Sequence, residues 1–203
     1  MRVVKQLARV REKKCNACSA CVKVCPVEAI RLEEKGKRTL ASVDDQRCLG
    51  CTICISRCPR QAITREPRKS PLQVGVEPGS VPEEAVKRIC EAAHMYPEQV
   101  VCYCHRVQAK EVAAAILKGA HTPEEISRAT GVRTGCGVLC ASGIIRLLRA
   151  AGIRLDKAPG YQWYGAEVSI WAIPEEVRKK YPAFYVEEDL RAINKLFPGG
   201  KQR

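Results

Sequence analysis

Thirteen of the 203 residues are cysteine, and eight of them fall in two rows with a single spacing. The row CNACSACVKVCPVEAI, beginning at Cys15, returns as CLGCTICISRCPRQAI beginning at Cys48, an offset of 33 residues. Each copy reads Cys-x-x-Cys-x-x-Cys-x-x-x-Cys-Pro. Thiolates are soft ligands, and three at a stride of three let one loop wrap around a cube of iron and sulfide. The fourth cysteine, ahead of Pro26 or Pro59 and expected at a helix start, points away to the other cube. The expected ligand sets are therefore Cys15, Cys18, Cys21 and Cys58 for one [4Fe–4S] cluster, and Cys48, Cys51, Cys54 and Cys25 for a second. A pair of zinc sites is the competing reading, but zinc ribbons use paired Cys-x-x-Cys, not a row of three plus one.

These residues resemble the bacterial-type two-cluster ferredoxin, including the Ala-Ile that follows each Cys-Pro at positions 29–30 and 62–63. The resemblance covers residues 1–68. It implies a small α+β domain whose core is largely its two clusters and which does not survive loss of metal. The link IRLEEKGKRTLASVDDQRC reads as two strands around a turn at Gly36, with VVKQLARV pairing beside them.

Residues 69–98 read as a linker and a connecting helix. PLQVGVEPG (71–79) has two Pro and two Gly, Ser80 with Glu83 forms a capping-box pattern, and Val86, Ile89, Cys90 and Ala93 make an apolar stripe. Cys90 on that stripe is expected to be a small core residue, with a redox thiol as the alternative. Residues 99–157 are punctuated as three helices: one from Ala109 to Gly119, one after the cap Thr122 to Gly131, and one from near Cys140. Cys102 and Cys104 precede the first of these, and Cys136 and Cys140 precede the third.

This stretch resembles the bacterioferritin-associated-ferredoxin-like [2Fe–2S] domain, a small all-α helix-turn-helix module. By that resemblance Cys102, Cys104, Cys136 and Cys140 are the ligands of one [2Fe–2S] cluster. The second pair is Cys-x-x-x-Cys here and Cys-x-x-Cys in the small ferredoxin, and the longer loop keeps zinc open as an occupant. His105 is a candidate nitrogen ligand in place of a cysteine. His94 and His121 are expected at the surface.

The elements around these sites carry a net charge of +13, and residues 1–70 hold 17 Lys or Arg against 7 Asp or Glu. Three thiolate-ligated clusters offset part of that excess, and the remainder can steer an acidic partner. Nucleic acid is disfavoured as the partner because residues 1–70 contain no aromatic side chain to stack on bases. Eight of the ten aromatic residues lie in 158–203, which reads as a docking arm: Tyr161, Trp163, Tyr164, Trp171, Tyr181, Phe184, Tyr185 and Phe197. The competing reading folds that arm back on the cluster domains. No stretch approaches a membrane span, and the N-terminus lacks the apolar core of a secretory signal, so a cytoplasmic protein is expected.

The fold expected is thus α+β: a two-cluster ferredoxin-like domain, a small helical [2Fe–2S] domain and an aromatic arm. No nucleotide or phosphate loop accompanies the clusters, so the chain is not expected to be catalytic alone. The resemblance of 99–157 to parts of FAD-dependent dehydrogenases implies an electron-transfer subunit in a hetero-oligomer with FAD-containing dehydrogenase subunits, acting on amino acids or hydroxy acids. Two other classes stay open: a metal-handling protein that uses the same thiols to transfer iron, and a nucleic-acid-binding iron–sulfur module.

Overall fold

The computed structural model describes residues 1–155 and 169–197. Among them, helices and small antiparallel sheets give a mixed α+β chain with two separate apolar cores. The first core gathers Val4, Leu7, Ala8, Ile30, Leu49, Ile63 and Val74 around buried cysteines.

The 33-residue repeat is visible in the backbone. Helix α1 (Ala20–Val24) has its counterpart in α2 (Ile53–Arg57), and strand β2 (Ile30–Lys35) corresponds to the start of β4 (Ile63–Val74). Left-handed residues recur at the same offset: Ala17 and Gly50, Ser19 and Thr52, Glu28 and Gln61. Positive φ is costly for most side chains, so this repetition marks a loop shape that the site imposes twice. Cys25 and Cys58 stand just after the C-terminal ends of α1 and α2 in extended conformation, not at helix starts as the sequence suggested. Each precedes a proline, which pushes the preceding residue out of the helical region and ends the helix there.

The β2–β3 hairpin (β3, Arg38–Val43) turns at Gly36, as the pattern predicts. Strand β1 (Arg2–Val10) does not join that hairpin but pairs antiparallel with β4, from Val10↔Ile63 to Arg2↔Val74, with an irregularity between Val4 and Gln6. The segment read as linker from residue 69 therefore begins as strand. The boundary between cores falls at Gly75, since Val74 belongs to the first and Val76 packs on the second. Pro71 misled the sequence reading; β4 is one edge of a two-stranded sheet, where a missing N–H is tolerated.

The second core is built by α3 (Glu83–Ala92), α4 (Ala109–Leu117), α5 (Pro123–Thr130) and α6 (Ala141–Ala150), with the short β5 (Val100–Cys102) and β6 (Val107–Gln108) before α4. Val86, Ile89 and Cys90 face it from α3, and Ile144, Leu147 and Leu148 from α6. Cys90 is fully buried, as expected of a core residue, and burial pushes its thiol up to about 12. Pro82, not Ser80, occupies the N-cap of α3; the Ser80 hydroxyl donates instead to the Glu77 carbonyl at 2.5 Å. The Thr122–Glu125 capping box at α5 forms as read, with the Glu125 N–H donating to Thr122 Oγ1 at 3.2 Å.

Of the aromatic arm, α7 (Glu175–Lys180) and α8 (Val186–Leu196) are described, whereas Tyr161, Trp163 and Tyr164 lie outside the described residues. Part of the arm does fold back. Trp171 stacks on His94 with ring centres 4.2 Å apart, Arg146 lies over the same indole at 4.6 Å, and Phe197 meets Tyr96 at 4.9 Å. His94 is thus covered and not a surface residue, because its ring supplies a flat face for the indole. His121 is exposed, as expected.

Candidate metal centres

The two cysteine rows fold around two cavities. One, of about 330 Å³, is lined by Cys15, Cys18, Cys21 and Cys58 together with Val10, Leu32, Ala41 and Ile63. The other, of about 370 Å³, is lined by Cys48, Cys51, Cys54 and Cys25 together with Ala8, Val27, Ile30 and Ile55. Each cavity takes three thiols from one row and the fourth from the other. Among the described residues no three His, Cys, Asp or Glu side chains converge on a point for a single metal ion. Four thiols around an apolar cavity are a donor set that suits a polynuclear cluster.

Backbone N–H groups already point at the sulfurs. Ala29 donates to Cys25 Sγ and Ala62 to Cys58 Sγ, both at 3.2 Å, while Ala8 reaches Cys48 Sγ at 3.4 Å and Ala41 reaches Cys15 Sγ at 3.5 Å. Such donors stabilise negative charge on ligated sulfur and help set the potential. Burial pushes the Cys21 thiol up to about 11 and Cys54 up to about 12, and raises Cys25 and Cys51. Without metal these thiols stay protonated at neutral pH, so ligation must displace protons.

Arginines hold the loops by their carbonyls. Arg68 donates to the carbonyls of Cys48 at 3.0 Å and Asp45 at 2.6 Å, and Arg38 to those of Cys15 at 2.9 Å and Glu12 at 3.1 Å. Arg9 pairs two-pronged with Asp45 at 3.0 and 2.9 Å. Part of the basic excess of residues 1–70 is therefore structural. These roles leave no mark in the sequence, because a fork on a carbonyl has no spacing signature.

The third set assembles at one end of the helical core. Cys102 and Cys140 are buried, while Cys104 and Cys136 are exposed, and the Cys136 N–H donates to Cys104 Sγ at 3.4 Å. Gly135 allows the two loops to meet: a Cβ there would lie 2.5 Å from Cys104 Cβ and 2.8 Å from its sulfur. The backbone N–H groups of Val138 and Leu139 hold the Cys136 thiol below the ordinary thiol value, whereas burial pushes Cys140 up to about 12. The loop between α5 and α6 is anchored by a buried ion pair, Arg133 to Glu124 at 2.8 Å, which sequence reading missed. A four-residue cap pattern hid Glu124, whose inward position only the packing of α5 reveals.

His105 is engaged elsewhere than on a metal. Thr134 Oγ1 donates to the Gly131 carbonyl at 2.6 Å and lies 2.9 Å from His105 Nε2, while Arg2 Nη1 lies 2.9 Å from Nδ1 and 3.0 Å from Nε2. Burial, then the Arg2 charge, lowers the imidazole pKa and so favours its neutral form.

Residues 14–62 match the 4Fe-4S dicluster domain, and residues 100–150 match the BFD-like [2Fe-2S] binding domain. No curated protein matches the chain. The chain is an iron–sulfur protein whose cofactors are two [4Fe–4S] clusters and one [2Fe–2S] cluster, and its role is electron transfer. No helix among the described residues is long and apolar enough to cross a membrane.

Proposed function

We propose that this chain is the electron-transfer subunit of a multi-subunit, flavin-dependent dehydrogenase that oxidises an amino acid or a hydroxy acid. In this reading Cys15, Cys18, Cys21 and Cys58 hold one [4Fe–4S] cluster, Cys25, Cys48, Cys51 and Cys54 the other, and Cys102, Cys104, Cys136 and Cys140 the [2Fe–2S] cluster. The clusters supply one-electron chemistry, which a flavin needs when it collects a hydride and releases it in single electrons. The protein's residues bind the irons, direct N–H groups at the sulfurs and, in both ferredoxin cavities, line the site with aliphatic side chains.

The observation that carries this reading is the exposed edge of the third site. Cys104 and Cys136 are at the surface, and three of the four residues between the paired cysteines are large, apolar and exposed: Tyr103 at 74%, Val138 at 71% and Leu139 at 73%. Exposed apolar side chains gathered at a redox centre suit a protein partner that must approach closely. Tyr181, Phe184 and Tyr185 on the arm are exposed as well, which supports a docking role for the part of 158–203 that does not fold back.

Affinity capture of the full chain from its native source tests the proposal. The expected result is a co-purifying flavoprotein whose flavin is bleached by an amino acid or a 2-hydroxy acid, with loss of that partner on truncation after Lys157. Capture of the intact, cluster-loaded chain without any flavoprotein would overturn it.

A further inference from the structure

Strand β1 touches both cores. At one end Ala8 donates its N–H to Cys48 Sγ at 3.4 Å, and at the other Arg2 reaches across to the helical core. The Arg2 guanidinium donates to His105 Nδ1 at 2.9 Å and to Thr134 Oγ1 at 3.3 Å. It also lies against Gly131, where a Cβ would come within 2.6 Å of Nη2. Its Nε–H is buried and has no hydrogen-bond partner among the described residues. Burial lowers the pKa of the Arg2 guanidinium, and Cys51 of the second ferredoxin cavity and Cys102 of the helical core act against that, so the cation lies within electrostatic reach of thiols from both sites.

Other contacts bring the same face of the first core to the second. Arg128 on α5 donates to the Val27 carbonyl at 3.3 Å and pairs with Glu28 at 3.1 Å, and Val27 lines the Cys25/Cys48/Cys51/Cys54 cavity. The Gly75 N–H donates to the Ala129 carbonyl at 2.9 Å. None of these contacts involves a residue lining the Cys15/Cys18/Cys21/Cys58 cavity.

We propose that Arg2 is shared by two metal centres, the Cys25/Cys48/Cys51/Cys54 site and the Cys102/Cys104/Cys136/Cys140 site, as the cation that raises both reduction potentials and joins the cores that carry them. Reduction adds one negative charge to a thiolate-ligated centre, and a fixed cation beside it stabilises the reduced form. A half-buried charge is poorly screened, so one guanidinium acts on both neighbours at once. Its planar fork also makes the His105 and Thr134 bonds that a lysine ammonium cannot reproduce together. The orphaned Nε–H fits a site whose acceptor belongs to a metal centre. Moving the two potentials together keeps single-electron exchange between adjacent centres near balance in either direction, with no bond made or broken and no proton moved. The inference rests on cluster content and not on the identity of a partner, so its outcome is independent of the flavoprotein reading.

The test is a redox titration of the full chain, anaerobically purified, followed by electron paramagnetic resonance with dithionite as reductant. The variants are Arg2→Met and Arg2→Lys, with Lys5→Met on the exposed side of the same strand as control, and each is first checked for unchanged iron content. Cys51→Ser and Cys18→Ser identify which [4Fe–4S] signal belongs to which site. In Arg2→Met, the [2Fe–2S] signal and the signal lost in Cys51→Ser should both need a roughly tenfold more reducing poise, about 59 mV for one electron. The signal lost in Cys18→Ser, and every signal in Lys5→Met, should not move. Arg2→Lys should keep both potentials close to those of the parent chain, yet lose hydrogen-exchange protection at Gly131 to Thr134. Should Arg2→Met lose iron, Arg2→Gln takes its place with the same expectation. Unchanged potentials in the neutral variant, or an equal shift of all three centres, would overturn the proposal.

Discussion

Cys25 faces the same cavity as Cys48, although it belongs to the other cysteine row. The exchange is reciprocal, since Cys58 faces the cavity of Cys15. Neither row closes its own cavity, so a cluster held in either one would tie the two halves of the ferredoxin domain to each other.

This reciprocity separates the consequences of ligand loss. Cys25→Ala should remove the second [4Fe–4S] cluster, taking iron from about ten per chain to about six, and leave the three thiols of its own row to hold theirs with Cys58. Cys136→Ala should leave about eight irons and both [4Fe–4S] signals. Iron analysis with paramagnetic resonance checks both values. Loss of all signals in Cys136→Ala would contradict the separation of the two apolar cores.

Gly50 and Ala17 occupy equivalent positions in the repeat, both with positive φ, and Gly50 lies against β1. A Cβ at Gly50 would fall 2.5 Å from the Gln6 carbonyl oxygen, and main chain cannot yield as a side chain can. Gly50→Ala should therefore destabilise the cluster-loaded chain by more than about 2 kcal/mol, the left-handed cost of about 1–2 kcal/mol plus the clash. Gly36→Ala, with open space around it and φ of +61°, should cost the left-handed term alone. Thermal unfolding of the loaded protein compares the two, and equal losses would contradict the close approach of β1.

The raised thiols give the loaded state a definite pH dependence. Burial lifts Cys21 to about 11 and Cys54 to about 12, so the metal-free chain binds protons at these sulfurs that the loaded chain does not. The loaded state is consequently favoured as pH rises toward those values and disfavoured as it falls, by up to tenfold per pH unit for each proton taken up. Iron release to a chelator should be faster at pH 6 than at pH 8 in the same buffer strength. Release independent of pH would show that these thiols are not the ligands.

Much of this was legible in the sequence because cluster ligation has strict spacing and helix punctuation is local. The offset of 33 residues carried through to paired helices and paired left-handed turns, and Gly119, Thr122 and Gly131 marked helix ends correctly. What was not legible depends on contacts distant in sequence. The partner of β1, the covering of His94 by Trp171, the Arg133–Glu124 pair and the bridge from Arg2 to His105 join residues from 9 to 103 positions apart. The linker reading failed at 69–74 for a different reason: Pro71 signals a break locally, whereas an edge strand accepts it.

The central claim is that this chain stores and passes single electrons on three clusters without giving up their metal. A stepwise anaerobic reduction and reoxidation, with iron counted before and after, tests it most directly. The account predicts about ten irons per chain, three electrons taken up and returned, and an unchanged iron content at the end. Two electrons with about eight irons and one zinc, or iron lost on each cycle as a metal-handling protein requires, would contradict it.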